Sequence, residues 1–388
     1  MWIALYFMIA VVTFVFVPDQ VPDIFWIPKE AMYCLMAGVV IGCSLIFDNY
    51  KPIKFKNIWV GALLIFTLIG FVWIFFKPLV ETDKYAIFNI WQVRPMINVV
   101  LGIFLFITII ENTDSIERWL KLTKLLCWIG AIIGIYALMQ WCELDQIFGN
   151  SQINHVNGFF ERKQLMFTFF GNKHLTAVYM ASVAPLCLIF RQLRYKVFYG
   201  IMLLAIFLAD VTIGIIASAV ALLIFMILLK RFRAVFFCLF LIVVIFGVSL
   251  ILHPDFLAYN DRLNLWKDVW ASMMNSKDMS FTGNGLGMFP RAFKSGALNV
   301  LHAHNEILQM FYEGGIFLLI IFFGYLVSLG KRILHSSPTV FLFGYISALA
   351  SYLTISLVSF PFRIAPLALL GILYLACLEV QTKGETYA

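Results

Sequence analysis

Residues 196–229 are KVFYGIMLLAIFLADVTIGIIASAVALLIFMILL, an apolar stretch that is interrupted by a single acidic residue, Asp210. A helix that crosses a bilayer needs about 20 apolar residues, and fewer where flanking charged side chains reach back to the interface. The stretch is long enough for two such helices but has only one break. It therefore predicts two membrane spans, 196–209 and 212–229, joined by a turn at Asp210.

The composition extends this prediction to the whole chain. Of 388 residues, 62% are hydrophobic and 13% charged, with a mean hydropathy of +0.93. Soluble domains are nearer half apolar and a quarter charged, so the chain is predicted to be an integral membrane protein of the all-α class. The net charge of +7 is spread over short loops, so we expect no nucleic-acid partner. The seven cysteines form no CxxC pair, which argues against a disulfide framework or a zinc site.

About twelve spans follow from the same criterion, in a single polytopic membrane domain over residues 1–388. The first apolar run lacks the basic start and the cleavage site of a signal peptide, so we expect it to be retained as a span. The predicted spans are 1–17, 27–47, 58–76, 96–110, 125–142, 175–190, 196–209, 212–229, 234–252, 315–330, 339–358 and 364–380.

The loop charges predict an orientation. One set of loops is short and basic, and such loops face the cytoplasm. These basic residues are Lys51, Lys54, Lys56, Arg118, Lys121, Lys124, Arg191, Arg194, Lys196, Lys230, Arg231, Arg233, Lys331 and Arg332. The alternate loops hold most of the acidic residues and are predicted to face outward, with both termini inside.

Two outward loops, 143–174 and 253–314, are longer than a simple connection requires, which is typical of functional loops. Aromatic and apolar residues recur in both, so neither is expected to be disordered. In the second loop, an apolar stripe has helical spacing and predicts a helix lying in the membrane interface. The stripe consists of Trp266, Val269, Trp270, Met273 and Met274.

Arg262 stands at the start of this interfacial helix, at the depth of a lipid phosphate. A guanidinium there can bind a phosphate through two parallel hydrogen bonds. The alternative interpretation is an arginine that binds lipid headgroups without specificity.

The block His302-Ala303-His304-Asn305 precedes the run from Glu306 to Tyr312. Asn305 suits the N-cap of a helix, and a helix N-terminus favours neutral imidazole, which is a proton acceptor. A neutral histidine beside an anion site is the usual general-base arrangement. The alternatives are a surface histidine or a metal site that includes Glu306, although no HExxH spacing occurs.

Gly283, Gly285 and Gly287 can let backbone amides approach a pyrophosphate, but glycines at this spacing also occur in ordinary loops. Gly314-Gly315 predicts a break before the tenth span.

The first long loop contributes four basic or titratable groups, which would add to a positive pocket or act as ordinary charges at the membrane edge. They are Arg162, Lys163, Lys173 and His174. The middles of the spans are poor in ionisable residues, which argues against an ion-coupled carrier.

Together these residues resemble the O-antigen ligase and polymerase superfamily of bacterial cell envelopes. The resemblance covers roughly residues 160–330 by motif and the whole chain by topology. The matching residues are Arg262, Leu263, Trp266 (one residue closer than the usual spacing), Gly285, Gly287, His302, His304, Asn305, Leu308, Gln309, Glu313 and Gly315. A second family element, Phe-Gly-Asn-x-Asn, matches Phe170–His174 with histidine in place of the last asparagine.

The resemblance implies about twelve helices with a large periplasmic loop, and transfer of a glycan from undecaprenyl pyrophosphate without a metal or other cofactor. It implies that Arg262 holds the donor pyrophosphate and that His304 is the base on the acceptor hydroxyl. Further substrate contacts are expected at His302, Asn305, Gly285, Gly287, Arg162, Lys163, Lys173 and His174.

The chain departs from the family in one element. Many members have a Ser-Arg-Gly element near the outer end of the eighth span, which supplies a second phosphate-binding arginine. Residues 212–218 of this chain contain no arginine. Either Arg162, Lys163 or Lys173 replaces it, or the donor is held differently.

We therefore expect an inverting glycosyltransferase of lipopolysaccharide biosynthesis, a multi-pass protein of the bacterial inner membrane with its site facing the periplasm. The expected partners are the undecaprenyl-pyrophosphate-linked glycan donor, a lipid A–core or other glycan acceptor, and membrane lipids. We favour the ligase over a polymerase of the same superfamily. A carrier or flippase of lipid-linked glycans would use the same basic pocket without catalysis, and a sensor or structural subunit would leave the histidine block unexplained.

Overall fold

A computed structural model describes residues 1–15, 26–47, 58–76, 90–113, 115–145, 166–231, 260–275, 281–286, 289 and 302–383. Throughout these ranges the ordered elements are helices, and no strand occurs in them. The all-α class predicted from the sequence is therefore confirmed for the part of the chain that the structure describes.

The described ranges contain twelve α-helices and two short 3-10 helices. The first eight α-helices are α1 (Trp2–Phe14), α2 (Trp26–Phe47), α3 (Ile58–Phe76), α4 (Ile90–Glu111), α5 (Ile116–Trp141), α6 (Lys173–Cys187), α7 (Leu193–Leu208) and α8 (Thr212–Leu228). The last four are α9 (Asn260–Asn275), α10 (Glu306–His335), α11 (Val340–Ser356) and α12 (Ala365–Lys383). The 3-10 helices are Thr168–Phe170 and Pro361–Arg363.

Each predicted span except 234–252 coincides with one of these helices; that span lies outside the described residues. Four helical segments in the described ranges are long and apolar enough to cross a membrane: Pro28–Ile46, Ile116–Trp141, Glu306–His335 and Ala365–Thr382. Shorter apolar helices accompany them, among them Thr212–Leu228 and Val340–Ser356. The fold is that of an α-helical membrane protein, and the full set of about twelve spans stays a prediction.

Helix α6 lies at the centre of the packed helices and contacts α5, α7, α8 and α11. All its residues from Leu175 to Cys187 are buried. Small residues let the neighbouring backbones approach, as membrane helices require: a Cβ added at Gly214 would lie 3.3 Å from the Cβ of Ala177. Hydrogen bonds between helices add to this packing, because Ser351 Oγ donates to Ala181 O over 2.8 Å and Tyr374 OH donates to Ser182 O over 2.9 Å. The N-terminus of α6, with His174, is thus attached to a rigid core.

The connections between helices gather at two ends. At one end, basic loops meet: Tyr6 OH donates to Arg118 O over 3.1 Å, and Lys124 Nζ lies 6.0 Å from the ring of Phe190. At the other end, Lys29 Nζ donates to Thr13 O over 2.7 Å. Arg262, from the long second loop, also reaches this end. The residues that are candidates for chemistry are therefore separated from the basic connections by the length of the helices.

Helix α9 forms where the apolar stripe predicts a helix, but its buried face differs from the stripe. Leu265, Val269 and Met273 are buried, in a cluster with Phe311 of α10, whereas the side chain of Trp270 is 54% exposed. Trp266 Nε1 donates to Ala303 O, so this tryptophan of the predicted stripe contacts the histidine block. Helix α9 is therefore amphipathic, and it also borders the candidate site.

Candidate functional site

The histidine block ends where α10 begins. Asn305 Oδ1 accepts a hydrogen bond from Leu308 N over 3.0 Å, which is the N-cap predicted from the sequence. His304, immediately before the cap, has a φ of 51°. Residues with a Cβ rarely adopt this left-handed conformation, so the surrounding contacts must hold it.

Two hydrogen bonds attach the block to its neighbours. Trp266 Nε1 of α9 donates to Ala303 O over 2.8 Å, and Ala303 N donates to Gln309 Oε1 over 3.1 Å. The backbone of Ala303 is therefore held from both sides. These bonds join the Arg262–Trp266 motif to the His302–Gln309 motif, which are far apart in the sequence.

Phe360 supplies an aromatic surface for both histidines. The ring of His302 stacks on it with centroids 4.2 Å apart and an interplanar angle of 21°. The ring of His304 meets it edge-on, with centroids 5.0 Å apart and an angle of 74°. Phe360 lies between α11 and α12, and nothing in the sequence distinguishes it from the other phenylalanines, of which the chain has forty in all.

Burial, repulsion by the nearby Arg262 guanidinium and, to a smaller extent, repulsion by His174 together lower the pKa of His304 to about 4. The imidazole is therefore neutral at neutral pH, as the sequence analysis expected. The physical causes differ from the predicted one, which was the helix N-terminus. Helix α9 brings Arg262 to the same part of the structure as His304, because Trp266, one turn after Arg262, donates to Ala303 O.

Arg262 and His174 reach this group from separate elements. Arg262, in the first turn of α9, donates from Nη1 to Val358 O over 3.1 Å, at the end of α11. His174 is in the first turn of α6, where its backbone N donates to the N-cap side chain Asn172 Oδ1 over 2.7 Å. Although the His174 side chain reaches the surface, its pKa is lowered by partial burial and then by Lys173 and Arg262.

Two buried carboxylates of α10 contact the same arginine. Arg363 donates from Nη2 to Glu313 Oε2 over 2.9 Å and from Nη1 to Glu313 Oε1 over 3.2 Å. Its Nε lies 3.5 Å from Glu306 Oε2, and Phe362 N donates to Glu306 Oε1 over 2.9 Å. No motif in the sequence marks Arg363, although a cation at the end of a span that is predicted to face outward is itself unusual.

This arrangement bears on the metal alternative. The carboxylate of Glu306 contacts Arg363 and the amide of Phe362. In the part of the chain that the structure describes, no group of three or more His, Cys, Asp or Glu side chains could hold a metal ion.

The glycine-rich turn packs against the break in α10. Gly315 has a φ of 61° and a ψ of −163°, so α10 is interrupted there, as Gly314-Gly315 predicted. Asn284 N donates to Tyr312 O over 2.9 Å, and Gly285 N donates to Glu313 O over 2.8 Å. A Cβ at Gly283, whose φ is 75°, would lie 2.3 Å from Glu313 O, so only glycine fits. In this structure the Gly285 amide is hydrogen-bonded to the backbone at the helix break. It could contact a pyrophosphate, as predicted, only if that hydrogen bond were broken.

Three of the predicted substrate-binding residues, Arg162, Lys163 and Gly287, lie outside the described residues. Helix α8 begins at Thr212 and has no arginine in its first turns. Among the described cations at this end, Lys29 is bonded to the carbonyls of Thr13 and Val15, and Arg363 to the two carboxylates. Neither side chain is therefore placed to take over the role of the family's second arginine.

Comparison with known families adds one finding. Residues 197–323 match the family model described as O-antigen ligase, which is about a third of the chain. The matched region includes Arg262, Gly285, His302 and His304, and it confirms the resemblance to the O-antigen ligase and polymerase superfamily. This family indicates a membrane glycan transferase of the ligase or polymerase type. No curated protein gives a significant match to the chain.

Proposed function

We propose that this chain, which contains the O-antigen ligase family region, transfers a glycan from undecaprenyl pyrophosphate to an acceptor. The transfer would take place at the periplasmic face of the bacterial inner membrane. We further propose that it is a ligase, with lipid A–core as the acceptor. The observation that carries the proposal is that α9 brings Arg262 to Val358 O and Trp266 to Ala303 O, so that the guanidinium lies in the same part of the structure as His304, whose ring contacts Phe360.

The chemistry requires few groups, because pyrophosphate is already a good leaving group. Arg262 binds the donor pyrophosphate and offsets the charge that develops there. The acceptor oxygen forms a bond to the anomeric carbon from the face opposite the leaving group, so the configuration inverts. The anomeric carbon–oxygen bond breaks, its electron pair leaves with undecaprenyl pyrophosphate, and His304 takes the hydroxyl proton.

Donor binding would also raise the pKa of His304. In the free protein, the positive charge of Arg262 lowers the pKa of His304. A bound pyrophosphate is negative and would cancel that effect, so His304 becomes a stronger proton acceptor when the donor is present. The site would thus be most basic in the complex that reacts.

An acceptor with a lipid anchor must approach from the membrane. The exposed side chain of Trp270 lies on α9, with its ring 5.5 Å from that of Phe311 in α10. An apolar surface beside the histidine block suits a lipid-anchored acceptor, since aromatic side chains favour the membrane interface. A second lipid-linked glycan would enter in the same way, so the polymerase stays the second candidate.

The test uses purified protein in lipid nanodiscs with an undecaprenyl-pyrophosphate-linked glycan. We expect no product from the donor alone and a capped product when lipid A–core is added. Chain growth from the donor alone would instead identify a polymerase, and movement of the donor across the bilayer without any product would identify a carrier.

The residue assignments are tested with matched variants in the same assay. We expect His304→Ala and Arg262→Ala each to lower transfer about 10²–10⁴-fold without loss of protein from the membrane. The controls are His335→Ala, at the far end of α10, and Lys267→Ala, an exposed cation on α9, and both should retain transfer. Near-normal transfer by His304→Ala would refute the base assignment.

A further inference from the structure

The segment Phe360–Arg363, between α11 and α12, is tied to the histidine block although it lies outside the family match. It contacts the block through an aromatic ring, and it contacts the first turns of α10 through a backbone amide and a buried ion pair. Nothing in the proposed chemistry uses these groups directly. Their common feature is that each contacts either a histidine or a glutamate of α10.

The aromatic contact comes first. Phe360 is 8% exposed, and its ring touches both imidazoles, face-on at His302 and edge-on at His304. An edge-to-face contact between aromatic rings adds stabilisation beyond simple burial. His304 has a left-handed conformation, which persists only where surrounding contacts support it. The contact with Phe360 is one such support.

The ion pair fixes the segment against α10. Glu306 and Glu313 are seven residues apart, which places them on one face two turns apart. Arg363 spans both carboxylates, which are 1% and 0% exposed. Separating such a buried pair is strongly destabilising, because each charge would be left without compensation. The segment and the first turns of α10 therefore stay in register.

We infer that Phe360 is a positioning residue for His304, and that Arg363 holds Phe360 in place through Glu306 and Glu313. This inference rests on the proposed function, in which His304 accepts the acceptor proton. Phe360 can neither donate nor accept a proton, so it acts only through the imidazole. Proton transfer depends on the direction of that ring, and an error of about 1 Å in such a position can cost on the order of 10²-fold in rate.

The test compares Phe360→Leu with Phe362→Leu. Phe362 is in the same segment, but its ring packs against Tyr352 and Phe322, not against the histidines. The two changes remove the same ring from neighbouring positions. We expect Phe360→Leu to lower kcat about 10- to 100-fold with little change in KM for the donor. Phe360→Tyr keeps an aromatic ring and should retain most of the rate. Phe362→Leu should keep the kcat of the unmodified protein.

A second measurement needs no glycan. Diethyl pyrocarbonate modifies neutral imidazole, so the pH dependence of its reaction with His304, followed by mass spectrometry, reports the pKa of that side chain. In Phe360→Leu the imidazole of His304 is less buried, so its pKa should rise toward the ordinary histidine value. In Phe362→Leu it should stay unchanged. If Phe360→Leu does not accumulate, Phe360→Met fills a similar volume and is tested in the same way.

The outcomes separate the two proposals. A normal kcat together with an unchanged His304 titration in Phe360→Leu would overturn the positioning role, as would equal losses in Phe360→Leu and Phe362→Leu. A shifted titration in Phe360→Leu combined with normal transfer by His304→Ala would support the positioning of the imidazole and refute the proposed function instead.

Discussion

At the scale of single residues, His304 shows how its surroundings determine its chemistry. Its imidazole is neutral because it is partly buried beside Arg262 and His174. The same residue in an exposed loop would be half protonated near pH 6.5. Two features of its surroundings thus act together, burial and neighbouring positive charge, and both disfavour the imidazolium form.

A pH profile follows from this environment. A proton acceptor must be unprotonated, so kcat/KM should fall only as the pH drops toward the His304 pKa of about 4 in the free protein. We expect transfer to persist at about pH 5, where an ordinary histidine would already be mostly protonated. Arg262→Gln removes the charge and should move the acid limb upward, whereas Arg262→Lys keeps the charge and should leave the limb in place. An acid limb near pH 6.5 in the unmodified protein would contradict the assignment.

At the scale of elements, the break in α10 shapes the site. A continuous helix would hide the carbonyls of Tyr312 and Glu313 in its own hydrogen bonds. The interruption at Gly315 exposes them, and the amides of Asn284 and Gly285 bind them. The glycine-rich turn and the broken helix therefore form one unit, which also carries Glu313 toward Arg363.

This unit should be sensitive to a single methyl group. A Cβ at Gly283 would clash with the backbone of Glu313, and its positive φ adds about 1–2 kcal/mol of strain. We expect Gly283→Ala to lower the thermal unfolding temperature and the transfer rate together. Gly330→Ala is the matched control, since Gly330 lies in α10 and no atom lies within 4 Å of a Cβ at that position. It should be neutral or slightly stabilising, because alanine favours helix. Equal Tm values for the two variants would argue against the unit.

At the scale of the whole molecule, the described connections gather at two ends of the packed helices, with the candidate site at one and the basic loops at the other. Positive loops are retained in the cytoplasm. The candidate site would then face the periplasm, as the proposed function requires.

Labelling can test the orientation on residues that the structure describes. Lys267 of α9 and Lys331 of α10 are both exposed. In a variant without native cysteines, we expect a thiol at position 267 to react with a membrane-impermeant reagent in cells with a permeabilised outer membrane. A thiol at position 331 should react only after the inner membrane is opened. The reverse pattern would place the candidate site in the cytoplasm and contradict the proposed function.

Features that depend on local composition could be predicted from the sequence. Apolar runs such as 212–229 correspond to helices because no unpaired backbone group is tolerated in lipid. Asn305 caps α10 because the cap involves only residues within one turn. Gly315 breaks the same helix because a single residue adopts the left-handed conformation.

The tertiary structure was needed wherever distant segments meet. His174, Arg262 and His304 belong to α6, α9 and the segment before α10, and hydropathy does not encode how these elements are arranged. Phe360 and Arg363 acquire their contacts with the histidine block and its glutamates through the same packing. The low pKa of His304 arises for this reason too, since burial and the charge of a neighbour are properties of the folded arrangement and not of the residues along the chain.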